Sequence, residues 1–411
     1  MQRLWVRTIA VTPFFVAILT VQAVGQSPLF TTIERGRYLS AAGDCQACHT
    51  TEGGKPFAGG RPLPTPFGTI YTANITPDDQ TGIGGWTNDQ FFRALHQGVG
   101  ADGKNLYPAF PYPWYTKVTR EDSDAIKAYL STLEPVKNRR PDNTLAWPLN
   151  YRIVMEGWNT LFFNEGVFKP DTSKSAQWNR GAYLVEGLGH CGACHTPTNV
   201  LGASKKDSFL EGGKLQEWYA PSLAGDLRSG LGSWSSDDIV TFLKTGRNSH
   251  STAYGPMSEV ITFSTSKLTD DDLGAIATYL KDLPAGDSNV KPAEVNANLM
   301  QTGQAIFVDN CAACHRSNGE GVPGMFPSLK GDANVQSSDP TTVVRLILNG
   351  AHAAVTDARP TPFSMPAFGW KLNDDQIAAL VNYVRNSWGN ASPNVAASDV
   401  KSLRQSLQQA H

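Results

Sequence analysis

Every cysteine in the chain belongs to a Cys-x-x-Cys-His pentapeptide, and the pentapeptide occurs three times: Cys45-Gln-Ala-Cys48-His49, Cys191-Gly-Ala-Cys194-His195 and Cys311-Ala-Ala-Cys314-His315. Two thiols at this spacing lie on one helical turn, where each can form a thioether to a vinyl group of haem. The adjacent histidine then presents its imidazole to the iron as proximal ligand. A redox dithiol has no need of the histidine, and a zinc site needs a second ligand pair that no third of the chain supplies. The motifs therefore predict three covalent haem c groups and a chain built to move electrons.

The elements that must position these motifs also recur. A helix with a glycine and an aromatic residue precedes each motif, in Glu34-Arg-Gly-Arg-Tyr38, Asn179-Arg-Gly-Ala-Tyr183 and Gln301-Thr-Gly-Gln-Ala-Ile-Phe307. Each module closes on an amphipathic helix containing Tyr129, Tyr279 or Tyr383, with apolar residues recurring at three and four. Thr119, Thr269 and Asn373 are placed as N-caps of these closing helices, with Gln376 completing a capping box. A glycine in the first helix lets the last one cross it closely. A middle helix is predicted over Thr87–Gln97, Ser235–Thr245 and Thr341–Asn349, each ending at a glycine: Gly98, Gly246 and Gly350. The fold class is mainly α, three tandem class I cytochrome c domains.

The middle helix sets the register for a second iron ligand. Met257 follows Gly246 by 11 residues and Met365 follows Gly350 by 15, both in loops ahead of a closing helix. They are the expected distal ligands of the second and third haems, whereas Met300 and Met325 read as packing. The first module breaks the pattern, because Phe110 stands 12 residues after Gly98 and cannot ligate iron. Three arrangements are open there: Met155, returning from an apolar connector; an open or water-filled position; or His96, whose slot corresponds to Lys244 and reads as a solvated helix face. Met155 is the expected ligand, as the one unassigned methionine near in sequence. His250 and His352 are expected at the surface.

The chain has 411 residues, which suits three domains of about 130 each. A net charge of −2 with 18% charged residues argues against a nucleic-acid partner and a polybasic membrane patch. Arg3 and Arg7 ahead of the apolar run Thr8–Val24 read as a secretory signal peptide ending near Ala23 or Gly25. The expected organisation is a signal peptide over 1–25 and a first cytochrome domain over 27–145, followed by the connector, 146–172. The second and third domains take 173–290 and 291–390, and the tail 391–411. Val400, Leu403 and Leu407 give that tail a weak amphipathic face, read as a docking or frayed helix rather than a membrane anchor.

The chain resembles a known family at Ala73-Asn-Ile-Thr-Pro77 with Thr81-Gly-Ile-Gly84, at Leu106-Tyr-Pro-Ala-Phe-Pro-Tyr112, and through Gly181–Pro197. The family is the tri-haem cytochrome c subunit of membrane-bound periplasmic dehydrogenases that oxidise alcohols, gluconate, sorbitol, fructose or aldehydes. The resemblance implies an electron-transfer subunit with no catalytic residues of its own. It implies a separate dehydrogenase catalytic subunit, flavin-dependent by first preference, and delivery to ubiquinone or a terminal oxidase. It places the chain in the periplasm, membrane-associated through its complex. Phe110 replaces the methionine of many relatives and is similar to cytochromes paired with molybdenum hydroxylases. A peroxidase-like haem enzyme using an open first site is the other reading.

Overall fold

The computed structural model describes residues 28–285, 294 and 296–409. The expected signal peptide lies outside the described residues. Among the described residues helices dominate, and the strands form three two-stranded antiparallel hairpins.

Each module is organised by the crossing of its first and last helices. Pro28–Ala42 packs on Arg120–Leu130, Ala176–Tyr183 on Asp270–Lys281, and Ala297–Asn310 on Asp374–Arg385. The crossings meet at the glycines singled out above. A Cβ on Gly36, Gly181 or Gly303 would overlap the carbonyl oxygen of Ala125, Ala275 or Ala379. Only a residue without a side chain lets the two backbones approach this closely.

The caps follow the chemistry of their residues. The side chains of Thr119 and Thr269 accept from the Asp122 and Asp272 backbone N–H groups, and Asn373 forms its reciprocal box with Gln376. The middle helices run Asn88–Gln97, Ser236–Thr245 and Thr341–Asn349. Gly98, Gly246 and Gly350 end them at φ of 67°, 77° and 68°.

Two elements differ from the loop expected around each distal methionine. Met257 sits in a helix, Pro256–Phe263, whose proline occupies the first turn where a missing N–H costs nothing. Met365 lies in a two-residue strand paired with Ala351–His352. A π-helical stretch, Leu184–Leu188, also leads into the second motif.

The apolar interior falls into two main bodies. Modules one and two share one core, in which Leu39, Ile126 and Leu130 join Leu184, Leu188 and Leu273. Module three has its own, built around Phe307, Ile377, Leu380 and Val381. The tail helix Ala397–Gln409 docks on this third core through Val400 and Leu407, both buried. Among the described residues no helix is long and apolar enough to cross a membrane.

Candidate haem sites

Each motif sits on one short helical turn: Cys45–Cys48, Gly192–His195 and Ala312–His315. Cys45 and Cys191 are half-buried, and burial pushes their thiols up to about 11 and about 12. Reactive dithiols show the opposite shift. No group of three or more metal-ligating side chains is present among the described residues, so the cysteines have no zinc partners there.

The three histidines are held alike. Nδ1 of His49 lies 2.6 Å from the Ala73 carbonyl oxygen, Nδ1 of His195 2.7 Å from Pro221 O, and Nδ1 of His315 3.1 Å from Pro327 O. A carbonyl only accepts, so each Nδ1 carries the proton and donates it. Nε2 is left with a free lone pair, the donor atom an iron requires. Burial, only partly offset by the carbonyl contact, lowers the pKa of all three rings and keeps them neutral. Paired thiols and an oriented neutral imidazole are the donor set that fits haem c. The three carbonyls were not singled out in the sequence, since every residue carries one.

The methionines occupy different settings. Met257 packs against the buried side chains of Ala253, Ile261 and Ala354. Met365 packs on the core of module three, as does Met300. Met325, expected as packing, is instead 46% exposed on a proline- and glycine-rich loop.

Around the first module the connector does fold back. Tyr107 Oη donates to Leu149 O at 2.8 Å, Arg152 Nη1 to Asn105 O at 2.7 Å, and Tyr112 Oη to Asn159 Oδ1. These bonds lay the helix Val154–Phe162 on the loop that carries Phe110. Met155 is 4% exposed on its inner face. Phe110 itself packs on Tyr115, with ring centroids 5.4 Å apart.

His96 departs from its expected solvated position. It is buried, stacked on Phe92, with Nδ1 2.8 Å from Thr116 O and Nε2 3.1 Å from Glu165. Both ring nitrogens face oxygen acceptors, so neither is free to serve as a ligand in this arrangement. The matched Lys244 likewise reaches a backbone carbonyl, Leu268 O at 2.7 Å. The slot thus ties the middle helix to the segment entering the closing helix. His352 is exposed, as expected, while His250 is partly covered by Trp234.

Known proteins match along nearly the whole chain. Residues 33–134 and 300–388 match the Cytochrome c family. The chain is 43% identical over 393 residues to the gluconate 2-dehydrogenase cytochrome c subunit of Pantoea cypripedii, covering 90% of this chain and 89% of that protein. It is 40% identical over 414 residues to the cytochrome c subunit of the quinone alcohol dehydrogenase of Gluconacetobacter polyoxogenes, covering 94% and 88%. With the fructose dehydrogenase cytochrome subunit of Gluconobacter japonicus it shares 38% identity over 406 residues, covering 91% and 82%. The helix crossings, the haem-attachment turns and these full-length matches together make the chain a member of the cytochrome c family, among the cytochrome subunits of dehydrogenase complexes.

Proposed function

We propose that the chain carries three covalent haem c groups and relays electrons from a dehydrogenase catalytic subunit, flavin-dependent by preference, to ubiquinone or a downstream oxidase at the periplasmic face of the inner membrane. The observation that carries this reading is the threefold recurrence of one local geometry: a pair of thiols, then a histidine whose Nδ1 is spent on a backbone carbonyl. Haem c supplies a one-electron iron couple. The six cysteines would fix it covalently, His49, His195 and His315 would offer Nε2 to the iron, and Met257 and Met365 would supply a thioether in modules two and three. A thioether is a soft ligand that favours ferrous iron and closes the site to small molecules, as a carrier requires. Substrate oxidation on the partner releases two electrons, which this chain takes one at a time. A quinone acceptor consumes both with two protons. No residue of this chain is asked to bind or activate the substrate.

The direct test is stoichiometry. Pyridine haemochrome analysis of the purified chain, after denaturation and acid–acetone extraction, should give three haems per polypeptide, since thioethers survive both treatments. Two or fewer would overturn the reading. Co-purification of a catalytic subunit with its own cofactor is the second expectation.

In the first module Met155 is proposed as the distal ligand, because its helix is tied down over the Phe110 loop and its side chain is buried there. Met155→Leu keeps the apolar volume and removes only the sulfur. The reduced wild-type protein should bind almost no carbon monoxide. The variant should bind one equivalent per chain while keeping three haems. Substantial binding by the wild type, unchanged in Met155→Leu, would show that no methionine closes this site.

A further inference from the structure

Modules one and two are joined by a reciprocal arrangement of the same residues. Arg35 and Tyr38 hold the positions in the first opening helix that Arg180 and Tyr183 hold in the second, each pair flanking its crossing glycine. Asp122 and Asp272 also correspond, each three residues beyond its capping threonine. The arginines pair at home, Arg35 Nη2 with Asp122 Oδ1 at 2.5 Å and Arg180 Nη2 with Asp272 Oδ2 at 2.7 Å. The tyrosines cross over. Tyr38 Oη donates to Asp272 Oδ2 and Tyr183 Oη to Asp122 Oδ2, each at 2.6 Å. When residue i of one unit meets j of the other and j meets i in return, a two-fold relation is at work.

That relation brings together the segments that lead into the first two haem motifs. Tyr115 Oη donates to Gly43 O at 2.7 Å, two residues ahead of Cys45. The His190 ring, adjacent to Cys191, lies edge-on to Tyr115 with centroids 5.1 Å apart. Ser264, just past the Met257 helix, reaches Ala42 O at 3.3 Å, and Glu259 of that helix pairs with Arg61 of module one at 2.8 Å. The two modules share a single core. Module three lacks the latch. Thr302 and Ala305 stand where the arginine and tyrosine would be, and Gln376 stands where the aspartate would be. It meets module two through other bonds, such as Tyr219 N–H to Thr342 Oγ1 at 2.8 Å and Ser251 Oγ to Asp332 Oδ2 at 2.7 Å.

We propose that modules one and two hold their haem sites as a coupled pair, with Tyr38, Tyr183, Asp122 and Asp272 acting as positioning residues that set the spacing between the two sites. The proposal rests on the reading that each motif carries a haem. Exchange within the pair moves one electron from ferrous to ferric iron and makes or breaks no bond. Its rate falls exponentially with separation, so rigidity at this seam acts directly on transfer. The latch suits the task because its carboxylates are shared. Each aspartate is committed to its own module by an arginine and to its neighbour by a tyrosine.

The test uses the full chain with all its haems and the double variant Tyr38→Phe with Tyr183→Phe. Phenylalanine keeps both rings and removes only the two crossing donors. In the oxidised wild type, pulsed electron paramagnetic resonance should show two of the three haems accelerating one another's spin relaxation. In the double variant that enhancement should fall at least twofold, with haem content still three. Ser251→Ala, which removes a bond between modules two and three, should leave the pair signal unchanged. Absence of paired relaxation in a wild-type protein shown to carry three haems would overturn the proposal alone. An enhancement in the double variant equal to wild type would do the same. Fewer than three haems in the wild type would instead overturn the functional reading on which it stands.

Discussion

Gly303→Val should loosen module three and open its iron while leaving its haem attached. A Cβ at this position overlaps the Ala379 carbonyl oxygen, a backbone atom that cannot swing aside. Valine adds two methyl groups to the same space. The helix Ala297–Asn310 must then lift from Asp374–Arg385, drawing Phe307 away from Tyr383 and Trp388. Overpacking a core commonly costs about 1–3 kcal/mol, and a clash with backbone belongs at or above the top of that range. Domain stabilities are only about 5–15 kcal/mol, so module three should lose a large share of its stability and melt first. Its core is separate, so modules one and two should keep theirs: the variant should show a distinct low-temperature transition and bind up to one equivalent of carbon monoxide when reduced, with all three haems still attached. Gly181→Val acts in the shared core and should disturb both modules there, opening up to two irons. No carbon monoxide binding and an unchanged melting temperature in Gly303→Val would mean that the helix crossing is not what holds the module together.

Met257→Ala and Met365→Ala should each open one iron without detaching its haem. The proposed covalent attachment runs through Cys191 and Cys194 or Cys311 and Cys314 and would be untouched. Each variant should bind one equivalent of carbon monoxide when reduced. Each should also lose one high midpoint, by on the order of 0.1 V within the roughly 0.8 V that axial ligands span. The methionine-to-leucine forms keep the packing against Ile261 or the third core and should show the same redox change with less loss of stability. If the midpoints of either alanine variant matched wild type, that side chain would be packing alone and the ligand would have to be sought elsewhere.

Much of this was legible in the residues because it depends on local chemistry. A threonine three residues ahead of an aspartate caps a helix wherever it stands, and a glycine past the last apolar residue ends one. The haem turns are shorter still. What escaped was fixed by distance along the chain. His96 read as solvated because a histidine two residues before a terminal glycine has no local mark of burial. The signal available was that its counterpart, Lys244, is also a long hydrogen-bond donor, and both cap carbonyls beyond the middle helix. The helix around Met257 could have been inferred from Gly255-Pro256, a common helix opening. Tyr38 and Tyr183 read as members of their own helices, and nothing in their spacing says that each hydroxyl leaves home. That knowledge comes only with the packing of one module on another.

The three motif histidines are all steered by main-chain oxygens, those of Ala73, Pro221 and Pro327. A side-chain acceptor can be lost in one mutation, whereas a peptide carbonyl persists under any substitution. Imidazole orientation is thereby insulated from sequence drift, and on the proposed haem ligation the electronic push it delivers would be much the same at every iron. Divergence among the three potentials would then have to be written elsewhere, in the second ligand and the surrounding polarity. On that proposal a lineage could retune a single haem for a new donor or acceptor at the position where Phe110 stands in place of a methionine, without disturbing the attachment.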